Sequence, residues 1–230
     1  MPKNETLTFD FDMRPSDLPV VERIWRTVSG GAATFISRAA THCEIVLMRQ
    51  AGQTTLTVRG PETQASLAPV PADAEFFGIQ FKLGTMLAPF PAATLVNQGV
   101  NLPEAGTQRF WLDGSAWQFP TFENADTFLA QLTRRGLLLT EPLVPAALRG
   151  ELPDLSLRSV QRRFVRATGL THGAVLQIQR AHQAQALLQS GAPILDVVAY
   201  TGYADQPHLT RSLRRFVGET PAQIAKAASA

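Results

Sequence analysis

Two short basic segments in the last third of the chain carry the side chains with the clearest capacity for chemistry. Residues 159–169 are SVQRRFVRATG and residues 208–218 are HLTRSLRRFVG, an offset of 49 positions. At that offset Arg162 aligns with Arg211. A guanidinium group donates two parallel hydrogen bonds to the acceptor edge of guanine, and it also pairs with phosphate oxygens. The repeat therefore predicts two surfaces that have the chemistry to bind nucleic acid.

The spacing within each segment predicts an amphipathic helix. Apolar side chains recur at intervals of three and four residues, and the basic side chains fall on another face. Val160 and Phe164 form the apolar face of the first helix, and Leu209 and Leu213 occupy the aligned positions of the second. In each helix, one face is expected to pack against the protein and the other to stay free for binding.

The intervening residues predict a long helix followed by a helix-turn-helix unit. The long helix begins at Thr171 and stops at Gly191, so it is about 28 Å long at 1.5 Å per residue. Pro193 opens a short helix, Gly202 forms the turn, and Asp205 is expected to cap the second basic helix. Successive major grooves on one DNA face are about 34 Å apart. A rigid connector of nearly that length would hold both basic helices in register.

Length and charge favour two domains with different tasks. A chain of 230 residues is long enough for two ordinary domains. Residues 1–150 carry 12 Lys/Arg and 14 Asp/Glu, a net charge of −2, whereas residues 151–230 carry 9 and 5, a net charge of +4. Attraction to phosphate is therefore expected in the C-terminal part. The sequence shows neither a membrane-spanning apolar run nor a secretory signal, which predicts a cytoplasmic protein.

The inventory of reactive side chains argues against an enzyme. Cys43 is the only cysteine, which excludes an internal disulfide and a multi-thiolate zinc site. His42 is the only histidine before residue 172, too few for a typical metal-dependent β-barrel enzyme. No serine lies in a GxSxG pattern. We therefore expect no catalysis, no metal and no cofactor.

The first half of the chain predicts β structure. Residues 43–48, 54–59 and 75–82 are alternating or β-branched segments separated by glycine and proline turns. We expect an α+β protein with a mostly antiparallel β domain over residues 1–120. Helical structure follows, with a connection over residues 121–150 and a double helix-turn-helix domain over residues 151–230. The connection is predicted to hold a helix capped by Asn124 that ends at Gly136, a second helix over residues 140–149, and then a proline-containing turn over residues 151–154.

Residues 156–225 resemble the DNA-binding region of bacterial transcriptional regulators of the AraC/XylS type. The resemblance covers about a third of the chain and implies two helix-turn-helix units joined by a long helix. One departure is the longer, proline-bearing turn within residues 143–155, which leads into the first basic helix. The matching motifs are QRRF at 161–164, ATGLT at 167–171, RAHQAQALLQSG at 180–191 and PILDVVAYTGYADQPHLTRSLRRFVGETP at 193–221.

The resemblance also implies which side chains contact the bases of promoter DNA. Later positions on the two helices suit phosphate contacts, which position a protein without identifying sequence. His208 is placed for a phosphate or base contact. The base-contacting positions are Arg158, Gln161 and Arg162 in the first helix and Gln206, Thr210 and Arg211 in the second, and the phosphate-contacting positions are Arg163, Arg166, His208, Arg214 and Arg215.

The role of the N-terminal domain stays open at this point. Regulators that resemble this chain commonly have a β-rich domain that senses a small-molecule effector or forms a homodimer. Aromatic side chains could line an effector pocket or simply fill the core of the β domain. Activation would also require contact with RNA polymerase, and no surface in the sequence marks one. The candidate pocket residues are Trp25, Trp111 and Trp117, together with Phe110, Phe119 and Phe122.

A function of another class also fits the composition. The β domain could be a ligand-binding protein or an enzyme, and the helical tail could serve protein association. Retention on duplex DNA that vanishes steeply with added salt would favour the regulator, because such binding releases counterions.

Overall fold

The computed structural model describes residues 10–151 and 155–228. An antiparallel β region precedes a helical region, as the sequence predicts. The strands of the described residues are β1 (Asp12–Arg14), β2 (Val21–Val28), β3 (Ala33–Ser37), β4 (Glu44–Gln50), β5 (Gln53–Arg59), β6 (Ser66–Val70), β7 (Glu75–Phe81), β8 (Thr85–Leu87), β9 (Gly99–Asn101), β10 (Arg109–Leu112), β11 (Ser115–Gln118) and β12 (Leu138–Thr140). The helices are α1 (Ala125–Arg134), α2 (Leu143–Leu148), α3 (Leu157–Thr168), α4 (His172–Gln189), α5 (Ile194–Thr201), α6 (Gln206–Phe216) and α7 (Pro221–Ala228), with a short 3-10 helix at Ala92–Thr94.

A six-stranded antiparallel sheet forms the centre of the β region. Its strand order is β1-β2-β7-β4-β5-β9, and the three strands predicted from sequence are β4, β5 and β7. Ile24 pairs with Ile79, Ile79 with Ile45, and Ile45 with Val58, which makes a row of side chains across four strands. All four are at most 1% exposed. This row shows why the alternating pattern of the strands predicts one buried face.

The opposite face of the same sheet depends on a glycine. Gly78 on β7 pairs with Trp25 on β2, and the indole ring of Trp25 lies directly over Gly78. A Cβ atom at Gly78 would overlap that ring. Phe11 packs edge to face against Trp25, with 5.5 Å between the ring centroids. Glycine at this position therefore lets a large aromatic ring cover the sheet.

The β10–β11 hairpin packs against α1. Trp117 lies 5.9 Å from Phe128 of α1 and Phe110 lies 6.2 Å from it, measured between ring centroids. Asn124 precedes α1 as predicted, but its side chain does not cap the helix. Instead, the Asn124 side-chain oxygen accepts a hydrogen bond from the Thr121 backbone N–H at 2.8 Å. The predicted helix start is confirmed, and the predicted capping bond is wrong.

The predicted helical connection contains a strand. Leu138 pairs with Leu87 and Thr140 with Thr85, so β12 and β8 form a two-stranded antiparallel sheet. The second helix of the connection, α2, accordingly begins at Leu143 rather than at residue 140. The prediction missed β12 because a strand of three residues is too short to show alternation. Most of the predicted turn over residues 151–154 lies outside the described residues.

Residue contacts group the described residues into two compact units. The grouping differs from the predicted boundaries after residues 120 and 150, because α3 packs on α2 and on the 3-10 helix of the β region. In the described ranges, no helix is both long and apolar enough to cross a bilayer, and no three His, Cys, Asp or Glu side chains are grouped to hold a metal ion. The sheet unit comprises residues 10–35, 42–61, 69–151 and 155–171, and the helical unit comprises residues 36–41, 62–68 and 172–228.

Replacing Gly78 with alanine should destabilise the protein, because the added methyl group would overlap the indole ring of Trp25. We expect a loss of about 1–3 kcal/mol in the free energy of unfolding, the usual cost of overpacking. Urea unfolding followed by tryptophan fluorescence measures this loss. Gly30→Ala is the matched control, since a Cβ atom there would meet no atom within 4 Å. Equal unfolding midpoints for the two variants would contradict the packing of Trp25 on Gly78.

Candidate nucleic-acid interface

Helix α3, the first basic helix, is closed at both ends by its own sequence. Ser156 caps the N-terminus, and its hydroxyl oxygen accepts a hydrogen bond from the Ser159 backbone N–H at 3.3 Å. Gly169 ends the helix in the left-handed conformation, with φ of 71°. A Cβ atom at Gly169 would lie 2.7 Å from the carbonyl oxygen of Ala92, so glycine also permits a close approach to the 3-10 helix. The sequence therefore fixes where α3 begins and ends.

Helix α6, the second basic helix, also has a side-chain cap at its N-terminus and a buried apolar face. Asp205 caps it as predicted, and its carboxylate accepts a hydrogen bond from the His208 backbone N–H at 2.6 Å. Leu209 and Leu213 are fully buried beneath the helix, in the positions aligned with Val160 and Phe164 of α3. The caps Ser156 and Asp205 are themselves 49 positions apart. The repeat thus extends beyond the two eleven-residue segments to the capping residues.

Arginines spaced four residues apart cover the outer face of α3. Arg158, Arg162 and Arg166 are all exposed and lie opposite the buried side chains Val160 and Phe164. Among the described residues, no carboxylate lies within 4.0 Å of these three guanidinium groups. Gln161 is also exposed, on the edge of the same face. Both predicted kinds of base-contacting side chain therefore face solvent on α3.

Arg163, a predicted phosphate contact, already has a carboxylate partner within the protein. Its guanidinium group donates two hydrogen bonds to the Glu141 carboxylate, at 2.6 and 3.1 Å. Partial burial alone would raise the pKa of Glu141, but the bonds from Arg163 and from the Leu143 backbone N–H outweigh burial and lower that pKa. Glu141 therefore stays ionised and neutralises Arg163. The sequence did not reveal this pair, because its members are 22 residues apart and belong to different elements.

The outer face of α6 is also basic. Arg211, Arg214 and Arg215 are exposed, and none of them forms an ion pair within the described ranges. Gln206 is exposed at the first position of the helix. Thr210 is only half-exposed, and its hydroxyl donates a hydrogen bond to the Gln206 carbonyl oxygen at 2.9 Å. Thr210 can accept a hydrogen bond from a base, but its own proton is already engaged.

A basic groove runs along one side of α6, within the helical unit. Its volume is about 430 Å³, and it lies between α6 and the N-terminal half of α4. Arg211 and Arg215 line it from α6, and Arg180 lines it from α4. The sequence does not predict a role for Arg180, because the pattern of α4 indicates only a connecting helix. His208, at the same side of α6, packs edge to face on Tyr203 with 5.1 Å between the ring centroids.

Comparison with known proteins identifies this part of the chain. Residues 154–227 match the family model described as a helix-turn-helix domain. Residues 154–227 form an AraC-type helix-turn-helix domain. The resemblance stated from the sequence motifs is therefore confirmed. Within residues 154–227, α3 is the first basic helix, α5 and α6 lie on either side of the Gly202 turn, and α4 is the long helix between α3 and α5.

Curated relatives match the same region. The HTH-type transcriptional regulator VirS of Mycobacterium tuberculosis, from strains CDC 1551 / Oshkosh and ATCC 25618 / H37Rv, is 37% identical over 90 residues. The match covers 39% of this chain and only 26% of the length of VirS. The crystal structure of ToxT from Vibrio cholerae O395 covers 95% of this chain and 97% of its own, with a TM-score of 0.41 and 8% identity. That likeness is too weak to assign the fold of the β region.

Two segments from the N-terminal half of the chain support the AraC-type domain at the end of α6. The Ala39 backbone N–H donates to the Phe216 carbonyl oxygen at 2.8 Å, and the Ala65 backbone N–H donates to the Arg215 carbonyl oxygen at 2.7 Å. Carbonyl groups in the last turn of a helix have no partner within that helix. These two bonds therefore satisfy the end of α6 and fix its position within the helical unit.

His182 of α4 lies beneath the same support. Its pKa is lowered by burial first and by the charge of Arg38 second, while a hydrogen bond with the Ala39 backbone acts in the opposite direction. The His182 Nε2 atom is buried and has no hydrogen-bond partner among the described residues. A proton on that ring would be both desolvated and repelled by Arg38. The neutral form is therefore favoured in the folded AraC-type domain.

The three tryptophans named as candidate pocket residues have different surroundings. Trp111 and Trp117 occupy opposite faces of the β10–β11 hairpin, since Trp117 pairs with Phe110 and neighbouring residues alternate. Trp117 is 6% exposed and packs in the core, whereas Trp111 is 47% exposed. Trp25 lies over Gly78 in the six-stranded sheet. Strand alternation therefore separates Trp111 from Trp117, and these two side chains do not line a common cavity.

The sheet unit holds a cavity of about 880 Å³ whose lining includes charged side chains. Phe122 lines it, and the guanidinium group of Arg26 lies 4.4 Å from the centroid of that ring. Arg26 also pairs with Asp12 at 2.6 Å and with Glu123 at 3.1 Å. Arg49 contributes a further cation. The size suits a small ligand, and the lining is charged rather than tryptophan-rich.

The protein should lose stability as the pH falls from about 7 to about 5, because folding lowers the pKa of His182. Above about pH 6.5 the imidazole is neutral in both states and contributes no pH dependence. Below that value the unfolded chain takes up a proton that the folded chain resists. The free energy of unfolding then falls by at most about 1.4 kcal/mol per pH unit. Thermal melts recorded by circular dichroism at several pH values measure this slope.

Two variants give the matched comparison for this titration. His182→Gln should flatten the dependence of the melting temperature on pH between about 7 and 5, since it removes the titrating group. Gln183→Ala changes an exposed neighbouring side chain of the same helix that does not titrate, and it should keep the parent slope. Identical slopes for His182→Gln and the parent would refute the assignment to His182.

Proposed function

We propose that the protein is a transcriptional regulator that binds specific promoter DNA through α3 and α6. One observation carries the proposal: two capped helices of an AraC-type domain each present exposed arginines that have no carboxylate partner among the described residues. Unpaired cations attract the phosphate backbone, and their side chains have the length to reach base edges.

The base contacts follow from the positions on each helix. Arg162 and Arg211 each project from the centre of an exposed face and suit two hydrogen bonds to guanine. Gln161 and Gln206 have the amide chemistry for adenine. Arg158 at the start of α3 and Thr210 of α6 would complete the two sets. These six side chains are proposed to identify the sequence, and the remaining cations to hold the DNA backbone.

The proposed phosphate contacts are Arg166 on α3 and His208, Arg214 and Arg215 on α6. We propose that Arg163, which was predicted to contact phosphate, contributes less than these four, because Glu141 already neutralises it. The second helix thus keeps more free cations beside its base-contacting residues than the first. We infer that α6 contributes the larger share of backbone affinity.

We infer that the sheet unit senses a small-molecule effector in the cavity beside Phe122. Its volume of about 880 Å³ lies in the range of ligand pockets. The lining offers both cations and carboxylates next to an aromatic ring, so it favours a polar ligand over a purely apolar one. Isothermal titration with small molecules chosen from the reactions that the target genes encode would test this proposal. If every small molecule that binds leaves the affinity for DNA unchanged, the result argues against sensing.

The regulator proposal is tested by selecting genomic DNA fragments that bind the full chain. We expect the retained fragments to share a motif, and the binding constant to fall steeply with salt. Retention of fragments without a common motif would contradict sequence-specific binding. No retention even at low salt would favour a helical region that serves protein association.

Replacing Arg211 with alanine should remove discrimination at one base pair, at a cost of about 1–3 kcal/mol. Arg215→Ala should instead weaken binding to all sequences alike, since a phosphate contact carries no base information. Fluorescence anisotropy with the target duplex and its single-base variants separates the two effects. Unchanged affinity of the double variant Arg162→Ala and Arg211→Ala would falsify the assignment of the two reading helices.

Arg163 and Arg166 should differ in salt dependence although both are exposed arginines of α3. Arg166→Ala should reduce the slope of log K against log salt by about one, the effect of losing one phosphate contact. Arg163→Ala should change the slope less, because Glu141 already pairs with its charge. Glu141→Gln should release Arg163 and increase the slope. Equal slope changes for Arg163→Ala and Arg166→Ala would contradict the neutralised pair.

A further inference from the structure

We propose that the groove beside α6 holds one phosphate group of the bound DNA, and that Arg180 of α4 is one of its ligands. The proposal rests on the DNA-binding function proposed above and extends it. It assigns a DNA contact to the helix that joins the two helix-turn-helix units. The residues that carry the argument are Gly173, Arg180, Tyr203, Arg211, Ser212 and Arg215.

The charge of the groove favours an anion. Arg180, Arg211 and Arg215 line it, and no Asp or Glu is among its lining residues. None of these arginines has an ion-pair partner in the part of the chain that the structure describes. Arg211 is proposed above to contact a base, so Arg180 and Arg215 are the two cations left to attract an anion into this groove of about 430 Å³. A DNA phosphate supplies such an anion next to a helix that lies in the major groove.

Neighbouring side chains hold Arg180 and the groove wall in place. The guanidinium group of Arg180 lies 5.6 Å from the centroid of the Tyr203 ring. The Tyr203 hydroxyl in turn forms a 2.8 Å hydrogen bond with the Ser212 hydroxyl. Tyr203 is only 6% exposed, so the surrounding side chains hold its ring in one position beneath Arg180. Burial raises the pKa of Tyr203, which keeps its hydroxyl protonated beside the groove.

The first turn of α4 adds to the attraction for an anion. Gly173 lines the groove and is the second residue of this helix of 18 residues. A Cβ atom at Gly173 would meet nothing within 4 Å, so the backbone there is open to a ligand. Backbone N–H groups in the first turn carry the positive end of the helix dipole. The arginines and the helix end therefore favour the same kind of ligand.

The aligned side of α3 lacks this arrangement. Ser212 aligns with Arg163 at the offset of 49 positions. In α3 that position is occupied by a guanidinium group bound to Glu141, whereas in α6 it is a small hydroxyl facing an open groove. A carboxylate beside α3 would repel a phosphate, and the arginines beside α6 would attract it. The difference at this aligned position therefore favours phosphate binding beside α6 over binding beside α3.

The test compares Arg180→Gln and Arg180→Lys in the full chain. Affinity is measured over a range of salt concentrations for a duplex recovered by selection and for an unrelated duplex. Arg180→Gln should bind both duplexes about three- to tenfold more weakly near physiological salt, and its salt slope should be smaller by about one. Arg180→Lys keeps the charge and should therefore keep the salt slope of the parent. Arg134→Gln removes the same charge from α1 of the sheet unit and should leave the slope unchanged.

Three results would overturn the proposal while leaving the regulator function intact. One is a slope of log K against log salt for Arg180→Gln that equals the slope of the parent, when the parent binds duplex DNA. A second is equal loss of affinity in Arg180→Gln and Arg180→Lys together with a lowered melting temperature, which would assign Arg180 to packing on Tyr203. A third is a loss confined to one base pair, which would make Arg180 a base contact. Failure of the parent itself to bind duplex DNA would instead refute the proposed function.

Discussion

Both basic helices depend on the same constraint: a helix covered with like charges has to be held by its opposite face and by its ends. Rows of arginines repel one another, so α3 and α6 gain their stability from buried apolar side chains rather than from their outer surfaces. Phe164 and Leu213 provide that burial at aligned positions. Ser156 and Asp205 then satisfy the first free N–H groups. The exposed side chains are left available for a ligand because they contribute little to folding.

The two copies meet this constraint with different neighbours. Helix α3 packs within the sheet unit, and Glu141 neutralises one of its arginines. Helix α6 packs within the helical unit, where the backbone of Ala39 and Ala65 satisfies its last carbonyl groups. In α3, one of the arginines is therefore paired with a carboxylate of the protein. In α6, the arginines stay unpaired among the described residues, and Arg180 of α4 lies beside them. The second unit has the stronger electrostatic basis for holding DNA.

Local patterns predicted most of this architecture. Alternation identified β4, β5 and β7, because one face of each strand is buried. Helical spacing identified α3, α4 and α6, and glycine stops identified the ends of α3 and α4, since Gly169 and Gly191 both have the positive φ that favours glycine at a helix end. Strand β12 escaped prediction because its pairing with β8 depends on residues about fifty positions away. Short strands and capping choices of this kind are decided by tertiary contacts.

The candidate site was predictable only where its chemistry is local. The arginines of α3 and α6 follow from their own helices, whereas the Glu141–Arg163 pair and the groove of Arg180 join residues from different elements. The aromatic inventory suggested a pocket, but alternation places Trp111 and Trp117 on opposite faces of one hairpin. A sequence shows which side chains are present, and only their placement shows which charges remain free.

Hydroxyl-radical footprinting of the full chain on a selected DNA site tests the central claim most directly. Two reading helices predict two protected patches on one face of the duplex, centred about 10 base pairs apart. Arg162→Ala should weaken protection in one patch and Arg211→Ala in the other. A single protected patch, or loss of the same patch in both variants, would contradict the claim that both helices contact DNA.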